Sequence, residues 1–108
     1  MTNTKSEFKY SGRFALTRRD FVTQNDSLMW KVVDYCRNEN ISIEEYYSRF
    51  GIKMEKLWLD CYNAWCENNP FNYPKDKDDY TVKHTQWLNQ ARAYADELVQ
   101  TECYSEAA

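Results

Sequence analysis

Two glycines, Gly12 and Gly51, and two prolines, Pro70 and Pro74, are all that 108 residues offer in the way of strong turn formers. A β-sandwich or barrel needs a turn signal at roughly every eighth to twelfth position, and Gly and Pro supply most of the backbone geometries that such turns demand. The scarcity predicts a mainly helical chain and excludes collagen-like and low-complexity classes. A length of 108 residues suits one domain. No segment approaches the roughly 18 consecutive apolar residues of a membrane span.

The material for a core is unusual. Leu, Ile, Val and Phe number only 19, a share at which disorder becomes a concern. Opposing this, the net charge is only −3, and the chain carries 4 Trp, 9 Tyr and 5 Phe. Each ring buries on the order of 150–250 Å² when folded inward. The expected fold is therefore an all-α, single-domain bundle of about four to five helices, with a core made mostly of rings.

Charge is asymmetric along the chain. Residues 1–24 hold five basic and two acidic side chains, whereas 25–69 hold five and eight, and 70–108 hold four and seven. A basic N-terminal arm, with Lys5, Lys9, Arg13, Arg18 and Arg19, thus precedes an acidic body whose carboxylates are too sparse to imitate phosphate spacing. Lys5, Glu7 and Lys9 interrupt the stretch where a secretory signal would be apolar, so the expected location is cytoplasmic, with Cys36, Cys61, Cys66 and Cys103 as reduced thiols. Cys61 and Cys66 are five apart on an expected helix and point about 140° from one another, which suits neither a zinc site nor a disulfide.

Local signals place the elements. Residues 1–16 read as an extended arm, in which Phe8, Tyr10, Phe14 and Leu16 alternate as in a strand around Ser11-Gly12. A short helix is expected over Arg18–Thr23, and a second from Asn25-Asp26-Ser27 to about Arg37. Ser42 and Glu45 form a capping box, with Ile41 placed to staple onto Tyr46. The helix they start is expected to end at Gly51, the residue best able to adopt the left-handed conformation. A further helix carries Met54, Leu57, Trp58, Cys61 and Trp65 on one stripe and Leu59, Tyr62 and Cys66 on another, until Asn68-Asn69-Pro70 breaks it. Residues 69–79 form a loop, and Asp79 is expected to cap a long C-terminal helix. Along that helix Tyr80, His84, Trp87, Ala91, Tyr94 and Leu98 recur at heptad-like spacing, a seam for the domain's own core or for a second copy in a homodimer. Ser105 to Ala108 are expected to fray.

Catalytic chemistry finds little support. The single histidine, His84, rules out sites that need two, and lies on an apolar stripe one turn from Trp87. Glu44-Glu45 and Asp78-Asp79 stand where helices begin, and helix-dipole stabilisation accounts for them. Asp76 and Asp78 are spaced like the start of a calcium loop, but Tyr80, Thr81 and Trp87 occupy its third-ligand, glycine and closing-glutamate positions. With two glycines there is no phosphate-cradling loop. The expectation is no enzyme, no metal and no cofactor.

Ser42 to Cys61, with Phe50-Gly51-Ile52 at a turn and Leu57 facing inward, resembles a helix-turn-helix, although Tyr47 stands where that family carries a small residue and Asp60 where it carries an apolar one. The resemblance implies that the second helix exposes Lys53, Met54, Glu55, Trp58, Leu59 and Tyr62. Reading DNA takes Arg, Lys, Asn or Gln at such positions, whereas aromatic and Met side chains suit a protein groove.

The leading expectation is thus a non-enzymatic protein-binding module, contacting its partner through Met54, Trp58, Leu59, Tyr62, Trp65, Phe71 and Tyr73. Trp58 and Tyr62 are open to a second reading as core. In composition, small and rich in Asn and Tyr, the chain resembles phage and mobile-element proteins that inhibit host machinery. The alternative is a DNA-binding regulator, with Arg13, Arg18 and Arg19 along phosphates and Lys53 and Lys56 near the groove.

Overall fold

A computed structural model describes residues 12–108. Four α-helices account for its regular structure, α1 (Arg13–Thr23), α2 (Asp26–Glu39), α3 (Ile43–Asn68) and α4 (Lys77–Cys103), and no strand occurs among the described residues. The all-α expectation and the long C-terminal helix are both met. Among the described residues, no helix is long and apolar enough to cross a membrane. Residues 1–11 of the expected extended arm lie outside the described residues.

Local hydrogen bonds set the helix boundaries. The Asn25 side chain accepts from the Leu28 amide at 3.2 Å and opens α2. Its other end closes at Asn40, whose φ of 58° is left-handed, a conformation that Asn tolerates better than most residues. Ser42 Oγ then accepts from the Glu45 amide at 3.0 Å and starts α3, as the capping box predicts. At α4 the cap is Asp76, whose carboxylate accepts from the Asp78 amide at 3.0 Å, so Asp79 lies in the first turn instead of preceding it.

Two boundaries depart from the sequence reading. Residues Arg13 to Leu16 are helical, not extended: Phe14, Ala15, Arg18 and Val22 are buried together at helical spacing, which outweighs the short alternation of Phe14 and Leu16. The stop expected at Gly51 is absent, and α3 runs through it. A Cβ at Gly51 would lie 2.8 Å from the Cβ of Ala15, 3.3 Å from its amide nitrogen and 3.4 Å from its Cα. Gly51 therefore serves close helix approach within a regular helix, and its φ is not positive.

The described residues group into two compact units, one formed by residues 12–55 together with Gln100–Ala108, the other by Lys56–Val99. In the first, Val22, Leu28, Val32, Cys36, Tyr46 and Tyr47 form a buried cluster with Phe21, Met29, Ile41 and Ile43 packed against it. Tyr46 lies at its centre, with ring centroids 5.2 Å from Tyr47, 5.9 Å from Tyr35 and 6.3 Å from Phe50.

Arg18 holds the two ends of this unit together. It is 0% exposed, and its Nε donates to the Tyr46 hydroxyl at 3.1 Å while Cζ lies 4.9 Å from the Phe50 ring centroid. Nη1 donates to the carbonyls of Cys103 (3.0 Å) and Ser105 (2.6 Å), and Nη2 to that of Ala107 (2.6 Å). A cation placed against the carbonyl of Cys103, the last residue of α4, also opposes the negative end of the helix dipole. Lys31 Nζ donates to the Glu106 carbonyl at 3.3 Å, and Phe21 packs on Tyr104 at 5.2 Å. Of Ser105 to Ala108, expected to fray, residues 105–107 are thus tied down through their carbonyls.

In the second unit α4 buries Ala91, Ala95 and Val99. Tyr94 and Leu98, expected on the seam, are exposed. A straight helix repeats every 3.6 residues, so a strict seven-residue pattern drifts around it, and burial follows the four-residue steps from Ala91 to Val99.

Candidate functional site

The most distinctive surface of the second unit is a set of interlocked rings built from the 69–76 loop and the first three turns of α4. Tyr80, His84 and Trp87 follow one another at four and three residues, so their side chains rise along one helix face. Their rings stack, Tyr80 on His84 at 5.2 Å and 10°, His84 on Trp87 at 5.7 Å and 29°. Tyr73 from the loop extends the stack onto Tyr80, at 6.0 Å and 16°.

Phe71 locks this four-ring ladder from the side. Its ring stands nearly perpendicular to Tyr73 (5.0 Å, 80°), Tyr80 (5.7 Å, 90°) and His84 (5.1 Å, 82°), and lies 5.5 Å from Trp87. Edge-to-face contacts of this kind set the positive ring edge against a negative face, and each contributes about 0.5–1.5 kcal/mol beyond area burial. Trp87 is fixed further by a 2.6 Å hydrogen bond from Nε1 to the Asn69 carbonyl and by Trp65 at 6.0 Å. The loop, which carries Pro70 and Pro74, is thereby held onto its own helix without regular structure of its own.

Exposure differs sharply along the ladder. Trp87, His84 and Phe71 are half-buried, but Tyr80 is 38% and Tyr73 76% exposed. The result is a rigid aromatic surface whose outermost ring is open to solvent and whose inner rings prevent it from collapsing. Such rings offer large contact area with two rotatable bonds each and a hydroxyl at the tip, which suits recognition of a protein surface.

The sequence-derived contact residues divide into three groups. Trp65, Phe71 and Tyr73 belong to the ring network. Trp58 and Tyr62 form a separate stacked pair (5.2 Å, 17°), half-buried, with Trp58 Nε1 donating to Asp96 Oδ1 at 2.7 Å. Leu59 is 51% exposed. Met54 does not fit the surface role, since it is 3% exposed and counts among the buried residues of the first unit. Tyr80, His84 and Trp87 join the ring network from the heptad-like seam, a spacing that points equally to a packed stripe.

The cations expected to meet phosphate are not alike either. Arg18 is buried on Tyr46 and the carbonyls of Cys103, Ser105 and Ala107, which removes it from any such surface. Arg19 pairs with Asp20 at 3.1 Å, and the Arg13 guanidinium lies 4.4 Å from the Phe14 ring centroid. Lys53 and Lys56 are exposed. The thiols are free, and burial pushes Cys36 upward and Cys103 up to about 11. No family model, curated protein or solved structure matches this chain.

Proposed function

We propose that this chain is a non-enzymatic protein-interaction module acting in the cytoplasm, of the kind by which small phage or mobile-element inhibitors occupy and block a host protein. The observation that carries the reading is the exposed end of the ladder, Tyr73 and Tyr80 braced by Phe71, His84 and Trp87. Aromatic side chains that are solvent-facing yet fixed in one arrangement lose little entropy on binding and commonly dominate interface energies. Leu59 and Trp65 are assigned to the same class of contact.

The test is capture of partners by the tagged chain from a lysate of its source organism, with and without nuclease, comparing wild type with Tyr73→Ser and Tyr80→Ser. The expected result is one stoichiometric protein that survives nuclease and moderate salt and is lost from both variants while their melting temperatures stay within a few degrees of wild type. Capture that vanishes on nuclease treatment would assign the chain to nucleic acid instead, through Arg13, Arg19, Lys53 and Lys56. Capture unchanged by both substitutions would remove the ladder from the interface.

A further inference from the structure

We propose that the cleft which α1 forms with Tyr104 in the first unit is a binding site for a neutral, hydroxyl-rich ring of the size of a single sugar. The cleft holds about 270 Å³. Pockets for drug-sized ligands begin at roughly 300 Å³, so this volume suits one pyranose ring and not a larger molecule.

Thr17, Asp20, Phe21 and Gln24 supply one wall, recurring at three, four and seven residues along one face of α1, and Tyr104, the residue after α4, supplies the other. Polar atoms make up most of the surface they present to the cleft. Asp20 brings carboxylate oxygens, which only accept, while Gln24 and Tyr104 bring groups that both donate and accept. The Thr17 hydroxyl gives its proton to the Arg13 carbonyl at 2.8 Å and is left with lone pairs. The Gln24 side-chain amide and the Tyr104 hydroxyl make no hydrogen bond to another described residue. Acceptors thus outnumber donors, and the matching ligand presents several hydroxyl protons while accepting bonds in return, as a vicinal diol does.

Charge and shape narrow the ligand further. Arg19 donates to Asp20 Oδ1 from Nε at 3.3 Å and from Nη2 at 3.1 Å, so the one carboxylate among the described lining residues comes with its own cation. An ammonium ligand would meet that guanidinium and an anion would meet the carboxylate, whereas a neutral ligand is opposed by neither. Phe21 and Tyr104 stand 5.2 Å apart at 59° and form the apolar corner of the cleft. A pyranose has a C–H side that rests against aromatic carbon while its hydroxyls turn towards Asp20 and Gln24, which are one helical turn apart. A purely apolar ring would leave the polar wall without partners, and an open-chain polyol would lose more conformational freedom on binding. This site lies wholly in the first unit and does not depend on the ladder's role.

The test titrates the uniformly ¹⁵N-labelled full chain with the methyl α-pyranosides of glucose, galactose and mannose. Cyclohexanol, glucosamine and glucuronate serve as the apolar, cationic and anionic counterparts. At least one neutral pyranoside is expected to give saturable amide shifts at Asp20, Phe21, Gln24 and Tyr104, with the millimolar affinity ordinary for about a dozen non-hydrogen atoms. The three counterparts are expected to bind at least severalfold more weakly. Gln24→Ala, an exposed change at the C-terminal cap of α1 that leaves the fold intact, should weaken that pyranoside by about fivefold, the loss expected for one or two neutral hydrogen bonds. Absence of saturable shifts with all three pyranosides, equal affinity for cyclohexanol, equal or tighter binding of either charged analogue, or indifference to Gln24→Ala would each overturn the assignment.

Discussion

Replacing Gly51 with alanine sets two known quantities against each other. In an unobstructed helix interior the change stabilises by about 0.8–1.0 kcal/mol, because alanine loses less backbone entropy. Here the new methyl would sit 2.8 Å from the Ala15 Cβ, with that residue's amide nitrogen and Cα at 3.3 and 3.4 Å. Non-bonded carbons are comfortable at about 3.5–4.0 Å, so the methyl–methyl contact is short by roughly 1 Å. Ala15 has no side-chain torsion with which to move its carbon aside, so backbone must shift. Overpacking of this sort costs about 1–3 kcal/mol, which outweighs the propensity gain and leaves a net loss of about 1 kcal/mol. For a domain of this size that lowers the melting temperature by about 4–8 °C. Urea unfolding followed by circular dichroism measures it, and Ala15→Gly supplies the partner for a double-mutant cycle. Restoring clearance should recover most of the clash, giving a coupling of about 2 kcal/mol. A higher urea midpoint for Gly51→Ala, or a coupling under about 0.5 kcal/mol, would refute close contact at this position.

Deleting Ser105–Ala108 removes two of the carbonyls that Arg18 uses and should cost about 2–3 kcal/mol in urea unfolding, with Arg18→Met recovering part of the loss in the truncated chain; a neutral deletion would show the tail to be unattached. Stability should be constant up to about pH 9 and fall as pH rises towards 11, because burial raises Cys103 from 9.0 to about 11 and raises Cys36 and Tyr46 as well. Groups whose folded pKa is raised favour the folded state below their unfolded pKa and lose that contribution on ionising. The urea midpoint against pH tests this, with Cys103→Ala flattening part of the decline; a flat profile through pH 11 contradicts it. Phe71→Ala removes contacts with four rings and, since Phe71 is half-buried, should cost about 2 kcal/mol, less than a fully buried phenylalanine. Near-ultraviolet circular dichroism should collapse with it; an unchanged spectrum would mean that the ladder stands without its brace.

Features governed by bonds between near neighbours were legible from the chain alone. Asn25 and Ser42 each reach an amide three residues on, so their residue types and spacing suffice to place the starts of α2 and α3. Gly51 is ambiguous in sequence because glycine both ends helices and admits close neighbours, and only the position of Ala15 decides between them. Arg18 looked like surface charge since nothing nearby in sequence reveals acceptors 85 to 89 residues away. The same limit applies to the rings. Phe71 and Tyr73 stood out as aromatic residues in a loop, while their docking onto Tyr80 and His84 depends on how that loop folds back, which no periodicity encodes.

The Arg18 contacts also bear on how the chain matures as it leaves the ribosome. Lys56–Val99 is contiguous and can condense as soon as it is made, by contacts of short sequence separation. The other unit is discontinuous and cannot be completed until Gln100–Ala108 emerge. Throughout that interval a cationic side chain destined for burial lacks the carbonyl oxygens of Cys103, Ser105 and Ala107. The cluster of α2 with Val22, Tyr46 and Tyr47 draws only on residues 21–47 and can form as soon as these are made, so what waits for residues 103–107 is the enclosure of Arg18 on α1.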